Sequence, residues 1–300
     1  MANYDHIIVS KRHLVELPAE ERIKICRHDV WIDTPRLAPL FDCVNHMLYT
    51  DHQIQASCIY IYGPGGDGKT AIYKRLEQIS VMSNQKMKFI ELTETVDRYK
   101  PHDTICKAFG IPITSRSTTS SRNDAIIRVI EAENVCALVV DELNEAIFQA
   151  YSQKKALLSL FKSLSGHRTK LCIIAFGDHK ALEVLALDPQ TSRRYVRWPI
   201  ERWNMDTDFI DFIATYETHL PLNLPSNLAD PKMRMLIYKH SFGVMDNVVK
   251  IIKCTAMDAI AAGNEKITTD QFARLPAIAR TYGFNLIEVS KSTKSKKNEK

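Results

Sequence analysis

One octapeptide constrains this chain more than any other feature. Gly63, Pro64, Gly65, Gly66, Asp67, Gly68, Lys69 and Thr70 follow a short β-rich run, SCIYIY (57–62), and lead into a helical stretch from Ala71 to about Val81. The pattern G-x-x-x-x-G-K-[ST] is met at every fixed position, and in the strand–loop–helix setting that gives it meaning. Glycines let the backbone wrap so that successive N–H groups point at phosphate oxygens. The helix N-terminus adds the positive end of its dipole. Lys69 can reach β- and γ-phosphates, and Thr70 offers a hydroxyl to magnesium. A plain Gly-rich turn leaves the lysine and threonine without a packing reason.

The surrounding pattern fits an α/β fold. MKFIEL (87–92) reads as a second strand. VCALVV (135–140) and LCIIAF (171–176) are continuous apolar runs, the signature of strands covered on both faces. Helical patterns separate them: 102–109, 124–133 and 152–164, with a Ser/Thr/Arg-rich loop expected at 114–123. Strands alternating with helices indicate a mainly parallel sheet. Before the first strand, 36–49 carries a helical apolar stripe, and 14–25 can hold a helix starting near Pro18. Beyond Asp206 the pattern is helical throughout, with segments 206–218, 231–240, 245–261 and 269–280 divided by Pro, Gly or Asn. The expected organisation is an N-terminal segment (1–30), an α/β core (31–205), a helical lid (206–285) and a basic, disordered tail (286–300).

Asp141 and Glu142 end a buried strand. Carboxylates directly after six apolar residues are costly unless a cation or water needs them. The first acid can orient magnesium and the second can polarise an attacking water; the alternative is that both simply face solvent at a strand end. Asp178 ends the next strand, in AFGDH, either facing a terminal phosphate or making a plain turn. Arg193, Arg194, Arg197 and Arg202 cluster near the end of the core. They form either a solvated basic face or include a guanidinium that reaches a phosphate in a neighbouring subunit.

Composition adds exclusions. Hydrophobic residues make up 45% and charged residues 25% of 300 residues, so wholesale disorder and collagen-like or coiled-coil architectures do not fit. No apolar run approaches the roughly 18 residues needed to cross a bilayer, and MANYDHIIVSKRH has no secretory pattern; the expectation is a cytoplasmic protein with no membrane partner. Net charge is +5. The last ten residues hold five Lys and one Glu, or +4, which leaves +1 for the body. Any nucleic-acid surface on the body is therefore a local patch. The seven cysteines include no C-x-x-C pair, which argues against zinc and for reduced core thiols.

These residues together resemble the AAA+ ATPases that regulate bacterial transposition, the TniB/TnsC type, over about Trp31 to Gly283. The Walker motifs identify only the P-loop superclass. More specific are WIDTPRLAPL before the first strand, VVDELNEA, the FGD strand end, SRRY with Trp198 and Trp203 nearby, and FGVMDNVVKIIKCTAMDAIAAGNEKI. The resemblance implies an AAA+ fold: a five-stranded parallel sheet in order 5-1-4-3-2, flanked by helices, then a helical lid. It implies ATP with magnesium, and ATP-dependent homo-oligomers, rings or filaments, around double-stranded DNA. It also implies links to a transposase and to a TniQ-type target selector, sometimes with a CRISPR complex.

Carried onto this chain, the loop from Gly63 to Thr70 with Ala71, and Trp31 and Ile32 from the preceding segment, hold the nucleotide. Thr70 and Asp141 hold the metal, Glu142 activates water and Asp178 is the first sensor. Arg194 is the trans-acting arginine, with Arg193 in reserve. Arg98, Lys100, Arg116, Ser117 and Thr119 line the DNA pore. Two departures stand out. The first sensor is Asp where relatives carry Thr or Asn. The lid reads Gly-Val-Met-Asp246 where many AAA+ proteins carry an arginine, which points to slow turnover. The competing readings are another AAA+ initiator or helicase loader, a P-loop small-molecule kinase, and a scaffold that binds ATP without hydrolysis.

Overall fold

Five parallel strands form one sheet in the computed structural model, which describes residues 4–49, 53–92, 101–114 and 118–286. They are β1 (Cys58–Tyr62), β2 (Lys86–Glu91), β3 (Val135–Asp141), β4 (Cys172–Gly177) and β5 (Tyr195–Pro199), in the order β2-β3-β4-β1-β5. This is the expected order read from the other edge. The continuous apolar runs fall at the centre: Ile59, Ile61, Leu138, Val139, Ile173 and Ile174 are all fully buried. Each such side chain contributes about 1.5–3 kcal/mol relative to exposure.

The edge strands look different. β2 carries Lys86 and Lys88, and Lys88 pairs with Glu133 at 2.8 Å. β5 (YVRWP) buries Tyr195 but exposes Val196 and Arg197. Charged residues and proline suit an edge, where they discourage pairing with another sheet.

The chain divides into two compact units. One is Leu37–Glu201, the α/β unit. The other comprises the described residues up to Arg36 and from Arg202 onward. The N-terminal segment, set apart as 1–30 on sequence grounds, packs into this helical unit. Arg22 makes a two-pronged ion pair with Glu265, at 2.6 and 2.8 Å. Lys253 donates to Arg27 O and to Asp29. At the unit's centre lies the helix Met245–Ala261, with Val248, Ile251, Ile252 and Met257 fully or almost fully buried. Its neighbours begin with good caps. Asp206 accepts from Phe209 N, and Asp230 accepts from Lys232 N with Pro231 at the first helical position.

Two local expectations change. The loop expected over 114–123 ends early: Thr118 Oγ1 accepts from Ser121 N at 3.1 Å, so the helix runs Thr119–Glu133. The helix after Gly68 begins at Lys69 and runs to Met82. Among the described residues no helix is long and apolar enough to cross a membrane.

Candidate nucleotide site

The site lies at the carboxyl edge of the sheet. Tyr62 pairs with Gly177, and Val140 with Ala175, which in turn pairs with Tyr60. Asp141, one residue beyond Val140, is therefore level with the last residues of β4 and β1. β3 and β1 flank β4, so the acid pair and the loop lie two strand spacings apart, about 10 Å. Ligands of open parallel sheets bind at this edge, where successive connections diverge.

The loop's glycines have separate causes. Gly66 and Gly68 take φ of 85° and 96°, the left-handed region. Gly63 is small because the chain beyond β5 passes against it: a Cβ there would lie 2.6 Å from Ile200 O. At Gly65 an added Cβ would meet nothing within 4 Å. The helix Lys69–Met82 has Gly68 as its N-cap and no side-chain cap, so its first N–H groups are not used by a capping side chain. Lys69 Nζ donates to Gly63 O (2.7 Å) and Pro64 O (2.9 Å), which folds the ammonium back over the loop. The Thr70 residue is exposed and Asp67 is buried.

Asp141 is 8% exposed and its Oδ1 accepts from Glu142 N at 2.9 Å. Burial pushes its carboxyl above the ordinary range, with the charges of Glu142 and Glu91 acting the same way. The Glu142 N–H and Lys69 oppose the shift. Glu91 contributes because it pairs with Asp141 across β2 and β3. Glu142 itself adopts φ 54°, ψ 44°, a left-handed conformation that costs a non-glycine residue about 1–2 kcal/mol. Such strain gathers at functional sites. It turns the chain into the short helical turn Leu143–Phe148.

The loop and acids fit a magnesium nucleotide. The uncapped helix start and the open space at Gly65 suit phosphate. Thr70 offers a hydroxyl, and Asp141 is a carboxylate whose charge burial disfavours until a cation compensates it.

Asp178, Arg194 and Trp31 have hydrogen-bond partners of their own. Asp178 Oδ1 accepts from Lys180 N (2.8 Å) and Ala181 N (3.2 Å), so the carboxylate caps the turn after β4. Arg194 Nη1 donates to Lys162 O (3.1 Å) and Ser165 Oγ (2.9 Å), tying the end of the helix Tyr151–Leu164 to the start of β5. Its neighbour Arg193 is exposed. Ile32 is buried in the core of the helical unit, and Trp31 Nε1 donates to Asp33. Arg98, Lys100, Arg116 and Ser117 lie outside the described residues; Thr119 is the exposed first residue of its helix.

Two residues that sequence reasoning did not single out stand at the same edge. Tyr60, fully buried in β1, donates its hydroxyl to Asp178 O at 2.5 Å. Its proton is held more tightly than usual through burial, then through the charges of Asp178 and Glu142. The other is Asn144, two residues beyond Glu142.

Comparisons with known proteins agree with this architecture. The fold is similar to the ORC1 protein of Aeropyrum pernix in complex with DNA, with a TM-score of 0.61 and 15% identity over 85% of this chain and 68% of that one. The ORC2 protein of Aeropyrum pernix, in ADPNP–ADP complexes, is matched equally well, with a TM-score of 0.61 and 15% identity over 85% of this chain and 71% of that one. Drosophila ORC bound to DNA gives 0.56 and 13% identity over 87% and 67%. The fold is of the AAA+ P-loop type. None of the curated proteins compared with the chain matches it. A family model described as bacterial TniB protein matches residues 22–205, more than half of the chain. The chain therefore belongs to the TniB family.

Proposed function

We propose that this protein is an ATP-dependent switch in DNA transposition. It oligomerises on double-stranded DNA as a ring or filament and links a target selector of the TniQ type, with or without a CRISPR complex, to the transposase. The observation that carries the nucleotide part is one edge of one sheet: a phosphate-cradling loop after β1 and a carboxylate pair after β3. Family membership supports the transposition part. The fold's likeness to ORC proteins bound to DNA supports a DNA partner, and also the runner-up reading, an initiator or helicase loader.

The chain's own residues divide the work. Loop N–H groups and Lys69 hold the phosphates. Thr70 and Asp141 hold magnesium, which when bound neutralises charge on the phosphoryl oxygens. Glu142 takes the proton from the attacking water. Turnover is slow, because the acidic Asp246 cannot stand in for a lid arginine; it bonds Lys250 at 2.5 Å. With Arg194 turned into its own subunit, Arg193 is the arginine that serves a neighbour's site. Arg98, Lys100, Arg116, Ser117 and Thr119 contact DNA phosphates, and the protein works in the cytoplasm.

Sizing and electron microscopy test the reading. Full-length protein with a non-hydrolysable ATP analogue and duplex DNA should form rings or filaments, and Lys69→Ala protein should not. A small particle under every condition would sink it and favour a kinase.

A further inference from the structure

The end of β4 faces the phosphate loop directly: Gly63 N donates to Gly177 O at 3.3 Å. A side chain here can read a terminal phosphate. Gly177 has none, and Asp178 is committed to capping. Another side chain fills the place. A Cβ added at Gly177 would lie 3.2 Å from Asn144 Oδ1, 3.3 Å from Asn144 N and 2.6 Å from the Tyr60 hydroxyl. Asn144 reaches this point because the left-handed Glu142 turns the chain back over the strand ends. Its Nδ2 donates to Glu145 Oε1 at 3.1 Å, which uses one amide hydrogen and leaves a second. Asn144 thus belongs to the same turn as Glu142 and lies against the residue that touches the loop.

Charge decides between the two candidates. A carboxylate close to a terminal phosphate adds like-charge repulsion. A neutral amide donates to a phosphate oxygen at no such cost, and such donors are worth most where water is excluded. We propose that Asn144, and not Asp178, is the side chain that reads the terminal phosphate of ATP at the end of β4. Gly177 is glycine to make room first for the Tyr60 hydroxyl and then for Asn144. This rests on the nucleotide reading above.

The test uses full-length protein, with ATP and ADP affinities from displacement of a fluorescent nucleotide and turnover from phosphate release. Asn144→Ala and Asn144→Leu, which keeps the number of side-chain heavy atoms, should lose most of the preference for ATP over ADP and at least tenfold in turnover. Their ADP affinity should stay within about twofold of wild type. Asn144→Ser, the mildest change, should recover part of both. Asp178→Ala should lower the thermal midpoint yet keep the ATP preference. Asn144 variants that discriminate and turn over like an active wild type would overturn this inference alone. So would loss of discrimination in Asp178→Ala with Asn144→Ala intact. Wild-type protein that binds no ATP would overturn the nucleotide reading, and this inference with it.

Discussion

Arg22 in the helical unit and Lys69 in the α/β unit are both partly withdrawn cations, and their partners differ in kind. Arg22 donates to Leu17 O, to Pro221 O and to both oxygens of Glu265. Lys69 hydrogen-bonds only main-chain carbonyls among the described residues. The first cation is neutralised by a carboxylate held in register. The second is met by main-chain carbonyls and, without direct contact, by the charge of Asp141, beside an uncapped helix start. The acids repeat the contrast. Glu217 accepts from Ser226 N, Asn227 N and Leu228 N, which fixes a loop. Glu142 sits half-buried in a strained turn, and no hydrogen bond to its carboxylate is found among the described residues. The helical unit saturates Arg22 and Glu217, whereas Lys69 and Glu142, at the carboxyl edge of the sheet, have fewer partners.

The largest expected effects separate these roles. Glu142→Gln should cut ATP turnover by about 10²–10⁴, the usual worth of a general base, while ATP binding and thermal midpoint hold. Arg22→Met should do the reverse, leaving Glu265 without its partner and costing about 3 kcal/mol. That is the low end for a buried pair, since the Glu265 side chain keeps 18% exposure. Turnover assays and denaturant titrations on both variants check the pair. A Glu142→Gln protein at wild-type turnover would remove the catalytic assignment, and an Arg22→Met protein of wild-type stability would remove the contrast.

The same contrast explains what was legible from residues alone. The placement of the Gly63–Thr70 loop and of the Asp141–Glu142 pair at strand ends could be read because each follows a short apolar run. β1, β3 and β4 could be read because burial on both faces leaves continuous apolar runs. β5 could not be located: YVRWP mixes apolar, charged and proline residues as an edge strand does, and its presence came only from the family resemblance. Spacing also does not say which way a side chain turns. Arg193 and Arg194 look equivalent in SRRY, yet one is exposed and the other bonds Ser165. Asn144 left no signal, since its placement depends on a left-handed glutamate that no residue type announces. The N-terminal segment gave no sign of where it packs, because Arg22 and Glu265 are 243 positions apart.

The two arginines give the next prediction. Arg194→Ala removes charge-assisted bonds to Lys162 O and Ser165 Oγ and should cost about 2 kcal/mol of stability. Arg193→Ala should leave stability within about 0.5 kcal/mol, as surface changes do, but reduce ATP-driven assembly. Mixing Arg193→Ala with Lys69→Ala protein should recover part of the activity if the site is shared between subunits. An Arg194→Ala protein as stable as wild type would place that side chain outside the frame of the α/β unit.

The smallest effect concerns pH, and there the two units should move in opposite directions. Hydrogen bonding to Arg22 holds the Glu265 carboxyl below its ordinary value of 4.5. The folded state therefore binds this proton less readily than the unfolded chain. The stabilisation is present above 4.5 and is lost as pH falls through the lower folded value. Asp141 has the opposite sign. Burial raises its carboxyl above 3.8, so its contribution is present below 3.8 and disappears as pH rises through the higher folded value. Above its folded value the ionised Asp141 is a cost to the fold, which a bound cation would offset. Asp141→Asn keeps an oxygen to accept from Glu142 N and removes that charge. Its melting temperature relative to wild type should increase as pH is raised from 3 to 7, while that of Glu265→Gln should decrease over the same range. Parallel curves for the two variants would mean that Asp141 is not held against its charge, and the functional half of the contrast would lose its electrostatic basis.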